Sequence, residues 1–194
     1  SPSVAMLVVA VVGVCAGILS GVPMSRLSTG SAAIGSLAIL IILHVCLIGA
    51  RDITRGSQTF YGVPTSTTFA VALSLALAVI VFARVFKESR WGLLLRASRD
   101  NEVAASAMGV KVSRQRLIGW VASISLISLV GALYGHFLGA FSPKDFYFNL
   151  TFTLIAMLIV GGMMSVTGAV AGAVLVAGVI QILRLAETGI DLGP

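Results

Sequence analysis

The chain has 194 residues, 58% of them hydrophobic and only 10% charged, with a mean hydropathy of +1.06 and a net charge of +6. A water-soluble domain of this length needs more polar surface, and the absence of strict period-2 alternation excludes an outer-membrane barrel. What remains is an all-α, polytopic transmembrane helical bundle, read as one membrane domain over residues 1–194.

Residues 4–22 form an apolar run of about 19 residues, enough for one span at 1.5 Å per residue. Gly13, Gly17 and Gly21 recur every fourth position, leaving a bare face for close helix packing. A short loop with Pro23, Arg26 and Gly30 leads to a second span over residues 32–49, which holds His44. The next loop carries Arg51, Asp52, Arg55, Gly56, Ser57, Gly62 and Pro64 and is read as irregular. A third span covers residues 66–86, and a fourth covers residues 117–140 with a second glycine series at Gly131, Gly135 and Gly139. Pro143, Lys144 and Asp145 then lie among Phe141, Phe146, Tyr147 and Phe148, the composition of an interfacial aromatic belt. The last apolar run, residues 150–183, is interrupted at Gly161–Gly168, so it reads as two helices and a turn. Its first part, 150–164, is short enough to be either a full span or a re-entrant half-helix. The count is about five spans. The absence of an initiator Met and a polar stretch over residues 185–194 make this read as a segment of a longer membrane protein, with helices missing at both ends.

Between the third and fourth spans lies the one long polar island, residues 84–116. It holds Arg84, Lys87, Arg90, Arg96, Arg99, Lys111, Arg114 and Arg116, eight of the thirteen basic residues, together with Glu88, Asp100 and Glu102. Leu94, Ala97, Ala104, Ala105 and Met108 recur at helical spacing and predict one helix over residues 91–108. Ser89 is placed to cap its start, Gly109 to end it in the left-handed region, and Ser113 to cap the helix that follows. A helix of about 18 residues is roughly 27 Å long, and with this charge it cannot cross a bilayer. Placing the island inside puts nine Lys or Arg residues on the cytoplasmic side and four outside, which orients the chain. The charge thus marks topology and contact with anionic membrane lipid, not nucleic acid.

Chemistry within the spans is sparse. No Asp, Glu, Lys or Arg lies deep in a span, which argues against a self-contained ion-driven carrier. His44 and His136 are read as hydrogen-bonded to neighbouring helices, and Cys15 and Cys46 as small buried hydrophobes. No metal-ligand spacing, nucleophile constellation or phosphate-binding loop is present in the sequence, so no catalytic residue and no metal site is assigned. The island itself reads either as a solvated topology-setting loop or as a docking helix, with a small-residue stripe for a groove and mixed charges for register.

Three stretches carry a family resemblance. RASRDNEVAASAMGVKVSRQR, from Arg96 to Arg116, resembles the cytoplasmic loop of permeases of ATP-driven branched-chain amino acid importers. ITRGSQTFYGVP is similar to a Thr-Gly-Gly-Ser…Gly-Ile-Pro loop of the same family, with Arg55 in place of the first glycine. SPKDF and LIVGGMMSVTGAVAGA are similar to its Ser-Pro…Phe and Gly-Gly-Met-Gly-Ser…Gly segments, with Met164 in place of the third glycine. The presence of the motif at Ile53–Pro64 points to the M-type permease of these ABC transporters, and the resemblance covers about residues 27–183.

The resemblance implies a type II-like importer permease in the bacterial cytoplasmic (inner) membrane. It implies a second permease subunit, two ABC ATPase subunits and an extracytoplasmic substrate-binding protein as partners. It implies no cofactor on this chain, ATP being bound and hydrolysed by the partners, so the chain itself is non-catalytic. Residues 84–116 become the coupling loop and residues 91–109 the coupling helix, with Arg96, Ala97, Asp100, Asn101, Glu102, Ala105 and Gly109 at the ATPase contact. Gly56 and Ser57 are candidates for the substrate pathway. The substrate reads as a branched-chain amino acid or a similar small solute. A secondary transporter or channel, and a membrane anchor without a pathway, are the competing readings.

Overall fold

A computed structural model describes residues 2–50, 58–59 and 68–190. The chain divides into two compact units, Ser1–Pro143 and Lys144–Pro194. The first holds α1 (Pro2–Met24), α2 (Thr29–Gly49), α3 (Phe69–Glu88), α4 (Arg90–Asp100), α5 (Glu102–Ala107) and α6 (Val112–Leu138). A 3-10 turn, Pro143–Phe146, crosses the division, and the second unit is α7 (Phe148–Gly161) followed by α8 (Val166–Ile190). Among the described residues four stretches are long and apolar enough to cross a membrane: Gly30–Gly49, Phe69–Glu88, Val112–Leu138 and Val166–Glu187. The protein is a multi-pass helical membrane protein.

Burial follows membrane logic. Among the described residues only Ala105 and Val112 are buried hydrophobes; Ala105 lies in the polar island and Val112 at the very start of α6, so neither sits in the middle of a span. The spans instead turn Leu19, Ile34, Val85 and Ile127 outward, as helices do when lipid is as good a solvent for leucine as another helix is. Association then depends on close backbone approach. The α1 glycines supply it: a Cβ on Gly13 would stand 2.7 Å from Ser128 Cβ, one on Gly17 3.3 Å from Val121 Cα, and one on Gly21 2.9 Å from Trp120 Cδ1. Trp120 Nε1 also donates to Ser20 Oγ at 3.0 Å, fixing the axial register of α1 on α6.

The second glycine series behaves differently. Gly131 has open space where its Cβ would be, Gly135 faces Phe141, and Gly139 ends α6 with φ 66°. Equal spacing therefore does not produce a second helix seam within this unit. Two further expectations fail here. Cys15 and Cys46 are exposed; Cys15 lies off the glycine face by which α1 packs, and Cys46 is on α2. His136 Nδ1 bonds Ala132 O at 2.8 Å, one turn back on its own helix, instead of reaching a neighbouring one.

In the second unit the predicted interruption is a true turn. Gly162 adopts φ 91°, and Ser165 Oγ accepts from Gly168 N at 2.9 Å to cap α8. Gly161, Gly168 and Gly172 then bring the α7 and α8 backbones into direct contact, an antiparallel pair that any side chain at these positions would push apart. At 14 residues α7 is about 21 Å long, short of the roughly 30 Å hydrocarbon core.

Candidate functional site

The polar island folds as a compact elbow hung between α3 and α6. Its first corner is built around Ser89. The backbone there is extended (φ −69°, ψ 163°); Ser89 Oγ donates to Phe86 O at 2.6 Å and accepts from Gly92 N at 3.4 Å, closing α3 and opening α4 with one side chain. Gly92 fits beneath the Phe86 and Lys87 carbonyls, where a Cβ would collide. Arg96 reaches back across the same corner, Nη2 donating to Lys87 O at 2.9 Å.

The predicted single helix over residues 91–108 is two helices. Asn101 (φ −152°, ψ 104°) leaves helical geometry, and its Oδ1 accepts from Ala104 N at 2.9 Å to cap α5. The physical reason is local competition: a short amide side chain satisfies the free N–H groups of a new helix better than it supports the middle of an old one. Gly109 (φ 83°) does end the element as its position suggested. Ser113 does not cap the next helix, because α6 already begins at Val112 after Lys111, which makes no side-chain cap.

The break redistributes the predicted contact residues. Asp100, Asn101, Glu102 and Gly109 are exposed, whereas Arg96 and Ala97 are half-buried. Ala105 is 1% exposed and packs inward, in the elbow's own core. Two apolar side chains point the other way: Val103 is 78% and Met108 73% exposed, on a helix otherwise flanked by charge. Sequence reasoning overlooked Val103; its signal was a β-branched residue between Glu102 and the alanine pair, out of phase with the buried stripe. Gly56 and Ser57 lie outside the described residues.

Arg116 was counted only as a topology charge, yet it joins three elements. From the second turn of α6, Nη1 donates to Leu27 O in the α1–α2 loop at 3.0 Å, and Nη2 donates to Glu102 Oε2 in the first turn of α5 at 2.7 Å. Asp100 is held separately by Arg99 at 3.0 Å. The exposed acids at the α4–α5 junction are thus oriented by arginines from both sides. Among the described residues, no cluster of three potential metal ligands occurs.

A family model described as the branched-chain amino acid transport system permease component matches residues 1–189. The chain belongs to this permease family. Among its relatives is the high-affinity branched-chain amino acid transport system permease protein LivM of Salmonella typhimurium, 24% identical over 89% of this chain and 49% of the relative. A probable branched-chain amino acid transport permease protein LivH of Methanocaldococcus jannaschii is 31% identical over 58% of this chain and 34% of the relative. A tyrosine transport system permease protein of Clostridioides difficile is 25% identical over 83% of this chain and 55% of the relative. The chain spans about half the length of the curated relatives it matches. No solved structure matches it. Membership in this permease family accounts for the all-helical architecture.

Proposed function

We propose that the chain is the membrane part of an ATP-driven importer for branched-chain amino acids or similar small solutes, in the bacterial inner membrane. The elbow α4–α5 seats on an ATPase subunit, and the assembly includes a second permease, two ATPases and an extracytoplasmic binding protein. ATP is bound and hydrolysed by the partners. The observation that carries this reading is the elbow itself: a short, capped, polar double helix rigidly cornered onto two spans, presenting Val103 and Met108 amid oriented acids. An apolar anchor ringed by charge is the composition of a protein docking patch. A force on such an element moves α3 and α6 together, which is how a partner's two states would reach a pathway between spans.

The names of the relatives support the amino acid class of substrate. The test is purification of the full-length protein's complex in mild detergent, followed by assay of substrate uptake in sealed vesicles with ion gradients clamped. The reading expects a co-purifying ATPase and uptake that stops when ATP is withdrawn. Uptake that persists without ATP contradicts it and points to gradient-driven transport.

A further inference from the structure

The α4–α6 side of the elbow holds two adjoining cavities that the docking role does not use. The smaller, about 230 Å³, is walled by three arginines, Arg96, Arg99 and Arg116, with Ser98 and Leu95. The larger, about 350 Å³, is lined mostly by apolar side chains, among them Met24, Leu27, Phe86 and Trp120 at the ends of α1, α3 and α6. Leu95 and Arg116 line both cavities, so a basic chamber and an apolar one share a wall.

From this juxtaposition we infer a binding site for one anionic glycerophospholipid, its phosphate among the three guanidinium groups and the start of an acyl chain along the apolar chamber. Charge supports an anion. Among the described residues these three arginines pair with two carboxylates, Asp100 on Arg99 and Glu102 on Arg116, an excess of one positive charge. A phosphodiester carries one negative charge. Arg96 donates through Nη2 to the Lys87 carbonyl, which holds its guanidinium along the wall of the smaller chamber. Arginine is the side chain best shaped to grip phosphate, through paired N–H donors.

Position selects the lipid among phosphates. Both chambers lie where three spans end, on the side that the distribution of basic residues assigns to the cytoplasm, and basic pockets between helices on that side meet anionic headgroups. A soluble phosphate would use only the smaller chamber and leave the apolar one without a role. A lipid seated here touches α1, α3, α4 and α6 at once and would brace the elbow against the bundle.

The experiment is native mass spectrometry of the full-length protein titrated with phosphatidylglycerol, with phosphatidylcholine of the same chains, and with soluble glycerol 3-phosphate. Wild type should hold phosphatidylglycerol about tenfold more tightly than phosphatidylcholine, the worth of one charge-assisted contact. Arg96→Gln with Arg99→Gln should remove that preference. Leu95→Trp, which narrows the shared wall without changing charge, should weaken both lipids. Arg99→Gln alone covers the case in which the double variant fails to fold, because Arg99 is half exposed. Equal affinity of wild type for the two lipids, or a preference untouched by all the variants, overturns the inference. So does glycerol 3-phosphate binding as tightly as phosphatidylglycerol, which would reveal a soluble-phosphate site.

Discussion

The α1–α6 seam and the α4–α5 elbow are both tight, but by opposite means. The seam contains no ion pair among its described residues; it is held by glycines that let backbones approach and by one bond, Trp120 to Ser20. The elbow is held by directional polar groups: Ser89 and Asn101 as caps, Arg96 on a carbonyl, and Arg116 on a carbonyl and a carboxylate. The contrast shows where each kind of contact is useful. Within lipid, apolar burial adds little and unsatisfied polar groups cost several kcal/mol, so fit decides. At the membrane edge water competes, and only multiply bonded, partly buried polar groups hold a fixed shape.

Substitutions can break that contrast in graded steps. Gly17→Leu should be the most damaging, because its side chain meets the Val121 backbone; a loss of about 3 kcal/mol or more is expected, seen as failure to accumulate a monodisperse protein in detergent. Gly131→Leu, with open space at its Cβ, should leave accumulation unchanged and so separates packing from glycine content. Next comes Arg116→Ala, which removes the tie between Leu27 and Glu102. It should cost about 1–2 kcal/mol, discounted for the exposure of Glu102, and should speed proteolytic nicking between α4 and α6. Gly109→Ala places a side chain at φ 83° and should cost about 1 kcal/mol, read as a lower melting temperature. Trp120→Phe should cause the smallest loss among the destabilising substitutions, about 0.6 kcal/mol, the typical worth of one hydrogen bond between membrane helices.

The seam was legible from sequence because its determinant is local and periodic: three glycines four apart on one helix. Their partner helix was not, since nothing in residues 13–21 distinguishes α6 from α2. The same spacing at Gly131, Gly135 and Gly139 shows the limit of periodicity, because a glycine face packs only where another helix is brought against it. In the elbow, single-residue signals survived: Ser89 as a cap and Gly109 in the left-handed region. The break at Asn101 was masked by an apolar stripe that runs through it unaltered in sequence while the chain changes direction. That break also decides that Ala105 turns inward and Val103 outward. The role of Arg116 was invisible for a different reason: its acceptor on Leu27 is 89 positions away. Cap chemistry is written within four residues, but tethers depend on the completed fold.

The docking role of the elbow depends on where the exposed apolar side of α5 goes. A photo-crosslinking residue placed at Val103 in the full-length protein, and separately at Ile127 on the outward face of α6, would be irradiated in native membranes. The Val103 probe should capture a nucleotide-binding ATPase subunit, and the Ile127 probe should not. Capture from neither site, or equally from both, would contradict the elbow as the docking element.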